Sequence, residues 1–232
     1  MSALSRRVGL SRLSGVGPIG GLQRHSYLLE AVMARIPLAL QDRTNRPSFL
    51  TRRALDYVRK TYGADLDSAL ATSHHPGVFW PWSLMEMAGE RRRSVLPEHL
   101  DHLVVFVTAV HLGCSWCVDF GASLWQRKRL DSAILKQAAH WRTSDAFNTD
   151  ERAAFGYAEA VSGELSTVTD EMVAELRERF GDAGVVELTY LIALENMRAR
   201  FNSSLGLSSQ GFSTGDACVV PLPTHAESSQ PR

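Results

Sequence analysis

Apolar residues recur every three to four positions through most of the middle of the chain, the spacing of one buried helical face. Ser48 heads the first clear example, a helix carrying Phe49, Leu50, Ala54, Leu55 and Val58. Before it, Leu28 to Leu40 reads as a short helix stopped near Pro37, and Arg43-Thr44-Asn45-Arg46-Pro47 as a turn. A short helix around Leu66-Ala71 leads into the turn signal Ser73-His74-His75-Pro76-Gly77, and the aromatic run Val78 to Met87 is helical after Pro81. Leu96 to Leu112 reads as one largely buried helix, with Pro97 at its first position and Glu98 on the positive end of its dipole. Gly113 breaks it, and a new helix starts at the cysteines that follow.

Further helices are expected over Leu130 to Trp141 and Arg152 to Ser162, the latter opened by Thr149-Asp150-Glu151. Thr169-Asp170-Glu171 repeats that start signal for a helix ending at Gly181, and Asp182 begins the longest helix, through Phe201. No segment pairs strand alternation with hairpin turns, so the fold class is all-α. Beyond Gly211 periodicity is lost, and 213–232 reads as a flexible tail in which Cys218 is incidental. Residues 1–29, basic without an acidic residue, read as a disordered start or an organelle transit peptide outside the fold.

Chemistry concentrates at Cys114-Ser115-Trp116-Cys117. Directly after Gly113, Cys114 is expected at a helix N-terminus, where unpaired N–H groups stabilise a thiolate. A free cysteine titrates near ~8.5, and such sites commonly fall to about 7 or lower. Cys117, one turn further in, is expected to be more buried and to act as the resolving thiol. Cys114 is then the solvent-facing sulfur that forms the first adduct in thiol exchange, although in a peroxidase cycle the order can reverse. Structural zinc is the competing reading, and it lacks a second ligand pair. Two inert buried cysteines are the plainer one.

Composition narrows the classes. Lys plus Arg equal Asp plus Glu at 25 each, which offers no electrostatic case for nucleic acid. No apolar run reaches the ~20 residues of a membrane span. Three cysteines in 232 residues fit a reducing cytoplasm better than a disulfide-stapled secreted domain. No nucleotide, flavin or haem motif is present, and no cofactor is expected. His74 and His75 are explained by their turn rather than by a metal, and Trp80 and Trp82 by packing rather than by a ligand pocket. Glu195 and Arg198, three apart on an apolar helix, are expected to pair and fix packing.

Gly113-Cys114-Ser115-Trp116-Cys117-Val118-Asp119-Phe120-Gly121-Ala122 after a long apolar helix, followed later by Val186 to Asn202, resembles the carboxymuconolactone decarboxylase and alkylhydroperoxidase AhpD-like superfamily. The resemblance covers residues 30–212 and implies an AhpD-like helical bundle that assembles as a homo-oligomer. It also implies a peroxide or disulfide substrate and a thiol reductant. Peroxidase members carry a Glu twelve positions before the first cysteine, a His between the cysteines and a His four after the second. Here those places hold His102, Trp116 and Gly121, so only the thiols of that proton relay are kept. His102 is a chemically competent substitute for the Glu, and His111, three residues before Cys114, can act as cation or base. Asp119, about 200° round the helix from Cys117, is expected to orient backbone or a neighbouring side chain. Gly121 leaves open space or allows close helix packing, and Trp116 and Trp125 are expected to roof it.

The leading expectation is a thiol–disulfide oxidoreductase or peroxidase whose catalytic residues are Cys114, Cys117, His102 and His111. A non-redox decarboxylase-like lyase and a non-catalytic oligomeric binder of small molecules are the competing classes.

Overall fold

The computed structural model describes residues 34–40, 46–163 and 167–213, all within the compact unit Val32–Arg232. The expectations for 1–29, for 214–232 and for Cys218 fall outside the described residues. Eight helices and no strand are found among the described residues. They are α1 (Phe49–Tyr62), α2 (Asp67–Thr72), α3 (Pro76–Arg91), α4 (Leu100–His111), α5 (Ser115–Arg127), α6 (Ser132–Ala138), α7 (Thr149–Ser162) and α8 (Asp170–Ser204).

Helix α4 is the centre, packed against α5, α6, α7 and α8. Its run from Leu103 to Val110 is buried except for half-buried Val105, so tertiary burial outweighs the modest helix propensity of its valines. Each fully buried aliphatic side chain here contributes roughly 1.5–3 kcal/mol. Thr108, buried in the same run, donates its hydroxyl to the Val104 carbonyl and leaves no donor unmet. Phe155 on α7 and Leu188 and Ile192 on α8 are likewise fully buried. Asn148 and Glu151 form a reciprocal capping box that fixes the start of α7.

Local signals place several boundaries where expected. Ser48 caps α1 through the Thr51 amide, and α8 is broken at Gly181 (φ 68°, ψ 175°), a conformation that favours glycine. Others move. Residues 34–40 are irregular rather than helical. Helix α4 begins at Leu100, not Leu96, because His99 takes a left-handed conformation (φ 66°) and residues 97–100 form a turn. Helix α3 begins at Pro76, which suits a first-turn position, and continues through Pro81. The expected helix from Leu130 is shorter, running Ser132–Ala138 with Asp131 as its cap.

Candidate active site

Gly113 (φ 67°) turns the chain sharply between α4 and α5, and this places Cys114 at the N-cap of α5. The Cys114 Sγ accepts the Cys117 backbone N–H at 3.2 Å, taking up one of the orphan donors of the helix start. Cys114 and Cys117 are joined as a disulfide, with Cα atoms 5.3 Å apart. Both are buried, at 2% and 7% exposure, so Cys114 is not the solvent-facing partner that the sequence suggested. The last turn of α8 brings Asn202 to the pair, and its Nδ2 donates to the Cys117 Sγ at 3.5 Å. Each sulfur therefore faces one N–H donor.

An aromatic cluster flanks the motif. Trp116 stacks on Phe120 (5.0 Å between centroids), and Phe212 meets both edge-on. Tyr62 adds a further edge contact to Phe120 from α1. The segment 209–213 is strapped across this cluster by Asp119. That carboxylate accepts from the backbone N–H groups of Gln210, Phe212 and Ser213 and from the hydroxyls of Ser209 and Ser213, at 2.8–3.0 Å. Burial alone raises a carboxyl pKa, but these hydrogen bonds together outweigh it and hold Asp119 below its ordinary range. Gln210 completes the strap, accepting the Trp116 indole N–H at 2.8 Å and the Asp67 amide while donating to the Asp65 carbonyl. The expected orienting role of Asp119 is thus seen. A Cβ on Gly121 would sit 3.4 Å from the Phe106 ring, so close packing of α4 on α5, not open space, is what its missing side chain provides. Trp125 lies elsewhere, donating its indole N–H to the Asp131 carbonyl and packing against His99, and does not join the cluster.

Of the two histidines, His102 is not brought to the sulfurs. His102 sits in the first turn of α4 and His111 in its last, separated by about 13 Å of helical rise. His102 pairs with Lys128 at the far end of α5, and its Nε2 lies 3.9 Å from Asp101. Burial, reinforced by Lys128 and Arg92 against the pull of Asp101, holds this imidazole below its ordinary range. It is a neutral partner for a lysine, not a base for the thiols. His111 is exposed at the cysteine end of α4, without a hydrogen bond to either sulfur.

A second buried polar group lies on the same stripe of α8 as Asn202. Glu195 is 2% exposed, takes one 3.2 Å bond from Arg198 on Oε2, and has no partner at Oε1. Arg198 is held chiefly by Glu86 of α3, to which it donates through both Nε and Nη2. Glu86 also accepts the Trp82 indole N–H, and half-buried Trp82 packs on Phe201, so this tryptophan makes a packing contact between α3 and α8. Burial pushes the Glu195 carboxyl up to about 7, because Arg198, shared with Glu86, recovers only part of the cost. The His74 ring accounts for itself by a hydrogen bond to the Pro37 carbonyl, and no metal-binding cluster of His, Cys, Asp and Glu occurs among the described residues. Nor is any helix among them long and apolar enough to cross a membrane.

Known proteins share this helical architecture. The chain belongs to the same family as the protein YnjA, and its fold is AhpD-like. It is 35% identical over 163 residues to the uncharacterized protein YnjA of Escherichia coli K12, covering 70% of this chain and 87% of that one. The fold matches a solved alkylhydroperoxidase AhpD core, a peroxidase-related protein from Ralstonia eutropha JMP134. There the TM-score is 0.67 and the identity 18%, over 77% of this chain and 94% of that one. A peroxidase-related protein from Silicibacter sp. TM1040 matches with TM-score 0.65 and 13% identity, over 74% and 89% of the two chains. The debrominase Bmp8 matches with TM-score 0.63 and 18% identity, over 74% and 90%. No family model matches the chain.

Asn202 and Gln210 are the residues that sequence reading missed. Asn202 carried a usable signal, since it lies seven positions after Glu195 and the two share one face of a strongly apolar helix. Gln210 carried none.

Proposed function

We propose that this protein is a thiol–disulfide oxidoreductase or alkylhydroperoxidase-like peroxidase that cycles Cys114 and Cys117 between dithiol and disulfide. The observation that carries the reading is the bonded pair itself, with the Cys114 sulfur receiving an N–H at the positive end of α5. In the reduced protein the same N–H and dipole favour a thiolate at Cys114, which is the proposed nucleophile. Its sulfur attacks one oxygen of a hydroperoxide; the S–O bond forms as the O–O bond breaks, and the leaving alkoxide takes up a proton to become an alcohol. Cys117 then attacks the sulfenic sulfur, the S–S bond forms, and hydroxide leaves as water with the remaining proton. Two thiols are oxidised and the peroxide is reduced; an external thiol reductant returns two electrons and two protons. In thiol exchange the same thiolate attacks a substrate disulfide instead.

His111, on the cysteine end of α4, is the imidazole retained in this proposal; His102 is not. A reducing compartment such as the cytoplasm suits the cycle. Self-association into a homo-oligomer is supported by exposed apolar residues on α1 and α3, among them Phe49, Leu50, Trp80 and Leu84. The likeness to a debrominase shows that the fold does not itself fix the substrate. The test is to add hydroperoxide to the reduced protein and count free thiols. Loss of two thiols in the wild type, with no intramolecular bond formed in Cys117→Ser, is expected; no loss at neutral pH contradicts the proposal.

A further inference from the structure

Asn202 is 1% exposed, and an amide so deeply buried in the last turns of α8 is costly unless its polar atoms are used. One is used: Nδ2 donates to the Cys117 Sγ, across 85 residues of sequence. The other, Oδ1, has no hydrogen-bond partner among the described residues. A leucine would supply similar volume without burying a polar group, so the donor to the sulfur is what the amide adds at this position.

A neutral disulfide sulfur is a weak acceptor, whereas a thiolate is a strong one, and bonds to ionised acceptors are roughly twice as strong as neutral ones. The bond seen in the oxidised pair therefore strengthens when Cys117 is reduced and ionised. The charged groups of the neighbouring elements have other partners or face solvent. On α5, Asp119 is engaged by the 209–213 strap, and on α8, Arg198 is engaged by Glu86 and Glu195. On α4, His102 pairs with Lys128 and His111 is exposed, while Asp131 and Lys136 of α6 and its cap are also exposed.

We propose that Asn202 is a positioning residue that favours the thiolate of Cys117, readying the resolving thiol to attack the oxidised Cys114. The inference rests on the redox reading given above. It is tested by following the pH profile of Cys117 alkylation in a Cys114→Ser background, so that one thiol titrates alone, with mass mapping of the labelled peptide. Asn202→Leu keeps nearly the same volume but removes the donor. Asn202→Asp keeps the shape and faces the sulfur with a carboxylate. Both are expected to raise the thiol pKa by about one unit, which appears as roughly tenfold slower alkylation below the pKa. Helical content and tryptophan fluorescence unchanged from the background protein show that the fold is retained.

Profiles in both variants that coincide with the background overturn the assignment of Asn202 while leaving the redox reading intact. A wild-type pair that neither reduces with a dithiol nor re-forms with peroxide overturns both. Slowed alkylation in Asn202→Leu alone, with an unchanged profile in Asn202→Asp, also contradicts the proposal, because it would trace the effect to packing and not to the hydrogen-bond donor.

Discussion

Replacing Asp119 with alanine removes the acceptor for three backbone N–H groups and two hydroxyls of residues 209–213. Hydrogen bonds to a charged group contribute about 1.5–3 kcal/mol each, so leaving every one of those donors buried and unmet would cost more than a domain of this kind can spare. The strap is therefore expected to undock into water instead. What is then lost is the net value of exchanging these bonds for water, together with part of the burial of Phe212 against Trp116 and Phe120. That places the loss at about 2–3 kcal/mol, near the value of burying one large apolar side chain. Because the strap crosses the residues on either side of Cys117, undocking also opens a route to the reduced thiols.

Two assays read this directly. Urea unfolding followed by tryptophan fluorescence measures the stability loss, and alkylation of the dithiol-reduced protein measures access. Asp119→Ala is expected to alkylate at least tenfold faster than wild type under native conditions, with Asp119→Asn between the two. Stability within about 0.5 kcal/mol of wild type, together with unchanged alkylation, would refute the reasoning. The wild-type bonds also set a pH dependence. A carboxyl held below its ordinary 3.8 stabilises the fold above that value, and the contribution is lost as pH falls through its lower folded pKa.

Glu195 works in the opposite sense. Its carboxyl rises from the ordinary 4.5 to about 7 on folding, so the native state binds the extra proton between those values. The stability this carboxyl contributes is then greatest below 4.5 and declines as pH rises towards 7, by up to about 3 kcal/mol. Glu195→Gln should flatten that decline in urea titrations taken from pH 5 to 8, and an equally steep decline in the variant would contradict the assignment. Gly184→Ala should be destabilising by about 1–3 kcal/mol in thermal or urea unfolding, because the new Cβ would collide with the Phe180 Cβ, which cannot rotate away. A neutral result there would mean that the break at Gly181 relaxes readily.

The parts of this fold that were legible in the sequence are those set by neighbours along the chain. Gly113 before Cys114, Ser48 before Phe49 and Gly181 inside the long C-terminal run each mark a boundary by local backbone chemistry, and each is found. The start of α4 was misread because Pro97 and Glu98 are good helix openers, while the left-handed His99 that delays the helix has no strong sequence signature. The pair Cys114–Cys117 was legible because its partners are three residues apart. The surroundings of the pair were not. Asn202 reaches Cys117 across 85 residues and Gln210 reaches Trp116 across 94; helical spacing puts Asn202 on a buried face but names no partner for it, and Gln210 has no such signal. His102 illustrates the converse error: an offset counted along the chain says nothing about distance when the intervening helix carries the residue away from the turn.

Alkylation of the reduced protein across pH, with mass mapping of Cys114 and Cys117 before and after peroxide, tests the central claim most directly. The account predicts that Cys114 labels as a thiolate well below the ~8.5 of a free cysteine, and that peroxide converts both sulfurs into one reversible intramolecular bond. A Cys114 that labels only at or above that value, with no bond formed on oxidation, would contradict it.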